Sequence, residues 1–157
     1  MNCSTPAVIP SPFIHVFNYE HSPYMSKLTL TEAFSKYGAT LKNPQWSVSA
    51  WLADGTLVVC LWDHHWRKGP PGTLEYSGSL DRWNGHGNKE FRANVTKAFT
   101  ARSKIRLVTV TTKEISRIEA GEDASKIKKT YATREELIGE ITELDDNNYV
   151  FQFKKEI

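Results

Sequence analysis

Alternation of apolar and polar residues is clearest in three stretches, and each predicts β-structure. The first is residues 46–66, WSVSAWLADGTLVVCLWDHHW, where two runs flank Asp54-Gly55 and read as a hairpin. The second is KIRLVTVTT, residues 104–112, rich in β-branched side chains. It carries Ile105 and Leu107 on one face and Val108 and Val110 on the other, as an interior strand does. The third is a C-terminal hairpin, in which GEITEL and YVFQFKK flank Asp145-Asp146-Asn147-Asn148 and place Tyr149, Phe151 and Phe153 on one face. Shorter runs at Phe13–Phe17 and Thr73–Leu80 predict two more strands.

Helical periodicity appears between these runs. Thr29-Leu30-Thr31-Glu32 is a capping box, and Gly38 is a stop for the short helix it opens. Phe91, Val95, Ala98 and Phe99 recur at helical spacing, predicting an amphipathic helix from an Asn88 N-cap to Arg102. A second capping box, Thr133 to Glu136, predicts a short helix ending at Gly139. Residues 114–130 show charge but no period, and Gly69-Pro70-Pro71-Gly72 is a break. Residues 1–12, interrupted by Pro6 and Pro10, read as a flexible tail ahead of a single domain spanning 13–157. The expected class is α+β: a mostly antiparallel sheet with a central tryptophan-rich hairpin and two principal helices.

Hairpin register decides which residues share a face. A two-residue Asp54-Gly55 turn of type I′ sets Ala53 opposite Thr56. Trp46, Val48, Ala50 and Leu52 then join Leu57, Val59 and Leu61 on a purely apolar core face. Ser47, Ser49 and Trp51 join Val58, Cys60 and Trp62 on the other, which continues into His64 and Trp66. Large rings beside small hydroxyls suit a flat ligand, and stacking contributes roughly 1–3 kcal/mol per nucleic-acid base. The competing expectation is that the 89–102 helix covers this face, with the serines accommodating Phe91 and Phe99.

Composition narrows the partners. The 157 residues are 39% hydrophobic and 24% charged, an ordinary balance that needs no metal or disulfide staple. A net charge of +2 excludes an acidic nucleic-acid mimic and falls short of a strongly basic footprint, so cations must cluster to matter. Lys89, Arg92, Lys97, Arg102, Lys104 and Arg106 crowd one segment with only Glu90 opposing, and Arg67, Lys68, Arg82 and Trp83 stand near the aromatic face in sequence. Basic groups bordering rings are the combination used for single strands. Cys60 reads as a small buried hydrophobe, and a disulfide to Cys3 is not expected. With no basic start and no apolar run of membrane length, the chain is expected to be soluble, cytoplasmic and without membrane partners.

Asp63-His64-His65 is the most reactive run, followed by Asn84, His86 and Asn88 and then by a helix bearing Asn94. This order resembles the HNH, or ββα-metal, nuclease layout across residues 63–94. The resemblance implies His64 or His65 as base, Asp63 as metal ligand and Asn84 or Asn88 as orienting group. It departs from the pattern in lacking the helix-borne histidine ligand and in carrying the Pro-Gly insert. Asp63, His65 and His86 form a second nitrogen and oxygen donor set suited to zinc.

The leading expectation is a binding domain without cofactor, accepting single-stranded nucleic acid or a nucleotide-like anion. Its contacts would be Ser47, Ser49, Trp51, Trp62, His64, Trp66, Arg67, Arg82, Trp83 and Arg92. The alternatives are a divalent-metal nuclease, the one enzyme reading, and an interaction or homodimerisation module.

Overall fold

The computed structural model describes residues 28–156; the expected tail at 1–12, the expected strand at Phe13–Phe17 and Cys3 lie outside them. Among the described residues, eight strands form one sheet. They are β1 (Ser49–Trp51), β2 (Leu57–Trp62), β3 (Trp66–Lys68), β4 (Thr73–Ser79), β5 (Ile105–Thr111), β6 (Thr130–Thr133), β7 (Leu137–Leu144) and β8 (Asn148–Lys155). Their order is β1-β2-β5-β7-β8-β4-β3, with β6 also paired to β5. The β2–β5 pair is parallel and the others are antiparallel, as an α+β class requires. Among the described residues, three α-helices accompany the sheet: α1 (Leu30–Lys36), α2 (His86–Ala101) and α3 (Ile115–Glu119). No helix of the described residues is long and apolar enough to cross a membrane.

The two longer helices pack on opposite faces. Ala33 and Phe34 of α1 lie against Ala50, Val58 and Val108. Phe91, Val95 and Ala98 of α2 lie against Leu57, Val59, Ile105 and Leu107, and reach Tyr149 and Phe151 on β8. Phe91 meets Tyr149 edge-on at 5.8 Å and lies nearly parallel to Phe151 at 6.4 Å between centroids. Burying such a ring stabilises the fold by about 1.5–3 kcal/mol.

The capping box that opens α1 is formed as expected, with both Thr29 and Glu32 bonded to backbone N–H groups. Elsewhere local signals give way to pairing. The Thr133 hydroxyl donates to Glu135 rather than capping a helix, the chain bends, and residues 137–144 continue as β7. Gly139 is not a helix stop: it sits in β7 where the Phe153 ring and Gln152 carbonyl leave no room for a β-carbon. Tyr37 holds the bend, its hydroxyl donating to the Leu107 carbonyl at 2.7 Å and accepting from Arg134 N–H at 3.1 Å. Nor does Asn88 cap α2. The helix starts at His86 after Gly85, and buried Asn88 donates to the Leu80 carbonyl while accepting from Arg92. Phe99 stays 39% exposed on the last turn, so the buried stripe ends at Ala98.

Candidate functional site

Everything about the tryptophan hairpin turns on one residue of register. Leu52 and Thr56 close the loop: the Leu52 N–H donates to the Thr56 carbonyl at 2.8 Å and the Gly55 N–H to the Leu52 carbonyl at 3.1 Å. Gly55 has φ 92°, and the Asp54 carboxylate accepts from the Thr56 N–H. This is a three-residue turn ending in a left-handed glycine bulge, not the two-residue type I′ turn expected from Asp-Gly. A shift of one residue exchanges the faces of a strand. Ser49 accordingly pairs with Val59, Ala50 with Val58 and Trp51 with Leu57.

The expected single aromatic face is therefore divided. Ser49 and Trp51 lie on the α2 side and are tied to it: the Trp51 indole N–H donates to the Asn94 carbonyl oxygen at 2.9 Å, and the Asn94 amide donates to Ser49 at 2.9 Å. Ser47 and Ser49 are fully buried, and Ser47 accepts from the Asn43 N–H, fixing the turn before β1. Trp62 lies on the opposite face with Val58 and Cys60, toward α1, and its ring is 5.8 Å from His64. Burial pushes the Cys60 thiol up to about 12, which makes it a packing group rather than a nucleophile. Trp66 stands 56% exposed on β3, at the far edge of the sheet.

The expected cationic border is dispersed as well. Arg67 pairs with Glu75, Arg92 pairs with Asp81 and the Asp146 carbonyl, and Arg106 pairs with Glu156. Trp83, partly buried, packs beside Phe91 against the core. Asn84 is exposed ahead of α2. Of the expected nuclease and zinc groups, Asp63 accepts from the Tyr76 hydroxyl at 3.2 Å, and His86 stacks at a tilt near Trp46, 5.6 Å away.

Two arrangements remain. The first is a groove of about 620 Å³ between β1 at the sheet edge and the N-terminal half of α2, also lined by Thr40 and Lys42 from the loop before β1. Trp46, Trp51, His86, Lys42, Lys89 and Glu90 line it. Trp46, expected in the core, is half-buried in this wall because Gly87 lets its carbonyl meet the helix where any β-carbon would overlap it. Lys97, one helical turn beyond Asn94, sets its ammonium 5.0 Å from the Trp51 ring centroid. One carboxylate oxygen of Glu90 is buried with no hydrogen-bond partner.

The second is at the other end of β2. Residues 63–65 form a single 3₁₀ turn after the strand, and Glu119 ends α3, which follows β5. His64 and His65 both point Nε2 at one oxygen of Glu119, at 2.9 and 2.7 Å. The imidazoles are mostly covered while Glu119 is half-exposed. Burial works against the Glu119 charge, but the two imidazole contacts and nearby Arg82 outweigh it and hold the carboxyl below its ordinary value. For His65, burial, Arg82 and His64 prevail over Glu119 and hold its pKa below the usual 6.5. The tripeptide Asp63-His64-His65 marked this end of the cluster in the sequence. Glu119, in an unpatterned charged stretch, gave no signal.

The chain matches no protein-family model, no curated protein and no solved structure.

Proposed function

We propose that the protein is a binding domain whose groove between β1 and α2 accepts a flat, anionic ligand: a nucleotide or a short run of single-stranded nucleic acid. The observation that carries this reading is the meeting of Trp46, Trp51 and His86 with Lys42 and Lys89 in one groove, with Lys97 at its margin. Rings and ammonium groups in that combination stack bases and neutralise phosphates. The Trp51 ring is already faced by Lys97, so Trp46 and His86 are the rings left for stacking. Glu90 is the one acid in the wall; it favours a base with an exocyclic amine, which donates to a carboxylate.

Fluorescence anisotropy of a labelled oligonucleotide, titrated with the full chain at several salt concentrations, tests the proposal. Three lysines engaged on a single strand give a slope of about −2 for log K against log salt. Lys42→Ala/Lys89→Ala is expected to flatten that slope and weaken binding. No binding at low salt, or binding that this double variant leaves unchanged, overturns the proposal.

A further inference from the structure

The cluster at the opposite end of β2 has no part in that groove. Its donors come from segments more than fifty residues apart, brought together by topology. Strands β2 and β5 are adjacent and parallel, so both leave the sheet at the same edge. The turn carrying His64 and His65 follows one, and the helix ending in Glu119 follows the other.

From this convergence we propose that His64, His65 and Glu119 bind one divalent cation of the zinc class through both Nε2 atoms and a Glu119 oxygen. The three donor atoms lie within 4.8 Å of one another. Among the described residues, this is the group of three or more histidine, cysteine or carboxylate side chains that converges in this way. Two imidazoles and one carboxylate are a donor set zinc uses when a fourth position is left to water. Zinc bonds of about 2.1 Å in a tetrahedron separate donors by about 3.4 Å. The present separations of 2.7 and 2.9 Å are shorter, and half-exposed Glu119 is free to withdraw by the difference. The two histidines are held by the 3₁₀ turn, with rings 4.4 Å apart and nearly perpendicular.

A metal needs neutral imidazoles and an ionised carboxylate. Two features limit the affinity. Arg82 contributes a positive charge near the group, and buried Nδ1 of His65 has no hydrogen-bond partner. Without such an outer partner, binding is weaker by roughly 10–100-fold than in sites that have one. The set differs from the Asp63, His65 and His86 combination suggested by sequence order, sharing only His65.

Isothermal titration of the full chain with Zn²⁺, with Mg²⁺ as comparison, tests the site, and Co²⁺ absorption reports the coordination. The expected result is saturable 1:1 Zn²⁺ binding with a tetrahedral Co²⁺ spectrum and no comparable Mg²⁺ binding. Glu119→Gln and His64→Ala are each expected to weaken binding at least 10-fold, while His86→Ala leaves it unchanged. Circular dichroism identifies variants that fold, and Glu119→Gln, altering a half-exposed side chain, is the one best placed to do so. No saturable binding, or binding that Glu119→Gln and His64→Ala leave intact, overturns the proposal and leaves the cluster a histidine–carboxylate contact alone.

Discussion

Replacing Asn94 by alanine removes the bridge that joins α2 to the hairpin edge. The wild-type amide accepts from the Trp51 indole and donates to Ser49, both at 2.9 Å. Each neutral hydrogen bond contributes about 0.5–1.5 kcal/mol, and a buried group left unpaired costs about 1–3 kcal/mol. Ser49 is 1% exposed and loses its donor without access to water, whereas the half-buried indole can be rehydrated. Alanine recovers about 0.5 kcal/mol of helix propensity. The expected net loss is about 2 kcal/mol, or a fall of roughly 4–8 °C in Tm for a chain of this size. Ser49→Ala alone returns the Asn94 amide to solvent and costs about 1 kcal/mol; the double variant costs no more than Asn94→Ala, giving a coupling of about 1 kcal/mol. Urea and thermal denaturation followed by circular dichroism and tryptophan fluorescence measure all three. A Tm for Asn94→Ala within 1 °C of wild type, or strictly additive losses, refutes the view that this face is closed by the helix through Asn94.

Other consequences can be measured in the same way. Tyr37→Phe removes a hydroxyl that bonds across the β6–β7 bend, and urea unfolding is expected to show a loss of about 1–2 kcal/mol; no loss contradicts a structural role for that hydroxyl. Arg102 caps α2 at φ 54°, and Arg102→Gly is expected to raise the denaturation midpoint by relieving up to about 1 kcal/mol of left-handed strain, an unchanged or lower midpoint counting against it. Acid should destabilise the fold in two steps. The lowered pKa of His65 means that the unfolded chain takes up more protons just below pH 6.5, and the lowered pKa of Glu119 repeats this below 4.5. Both contributions are present above those values and lost as pH falls, so His65→Gln is expected to flatten the stability profile below pH 6.5; a profile identical to wild type there removes the assignment. The partly buried Cys60, its thiol pKa pushed up to about 12, is expected to react with a thiol reagent more slowly than an exposed cysteine, and labelling of the native protein as fast as of the urea-unfolded chain contradicts this.

Much of the fold is legible because burial enforces its periods. The β5 pattern of apolar residues on both faces marks an interior strand, and the Phe91, Val95 and Ala98 spacing marks the helix that packs beside it. What misleads is local chemistry with two structural uses. Asp54-Gly55 fits both a two-residue turn and a three-residue turn with a glycine bulge, and side-chain pattern alone does not choose between them. That choice moves Trp51 and Trp62 to opposite faces and dissolves the expected ten-residue site. Thr133 to Glu136 has the letters of a capping box, and the buried Leu137 and Ile141 fit either period, but β8 pairs along residues 137–144 and makes them a strand. The groove and the histidine cluster depend on contacts between remote segments. Lys42 lines the groove opposite α2 from the loop before β1, and Glu119 meets His64 through the parallel β2–β5 pair, neither of which leaves a local trace.

Indole N–H resonances in a ¹⁵N-resolved proton NMR titration with a single-stranded oligonucleotide test the groove most directly, because the chain's five tryptophans report separate places. Trp46 and Trp51 line the groove, Trp83 packs beside Phe91, Trp62 ends β2 beside His64, and Trp66 stands on β3. The predicted result is a saturable shift of Trp46 and Trp51 with Trp62 and Trp66 unmoved. Shifts confined to Trp62 or Trp66, or none at all at low salt, contradict the groove as the binding site.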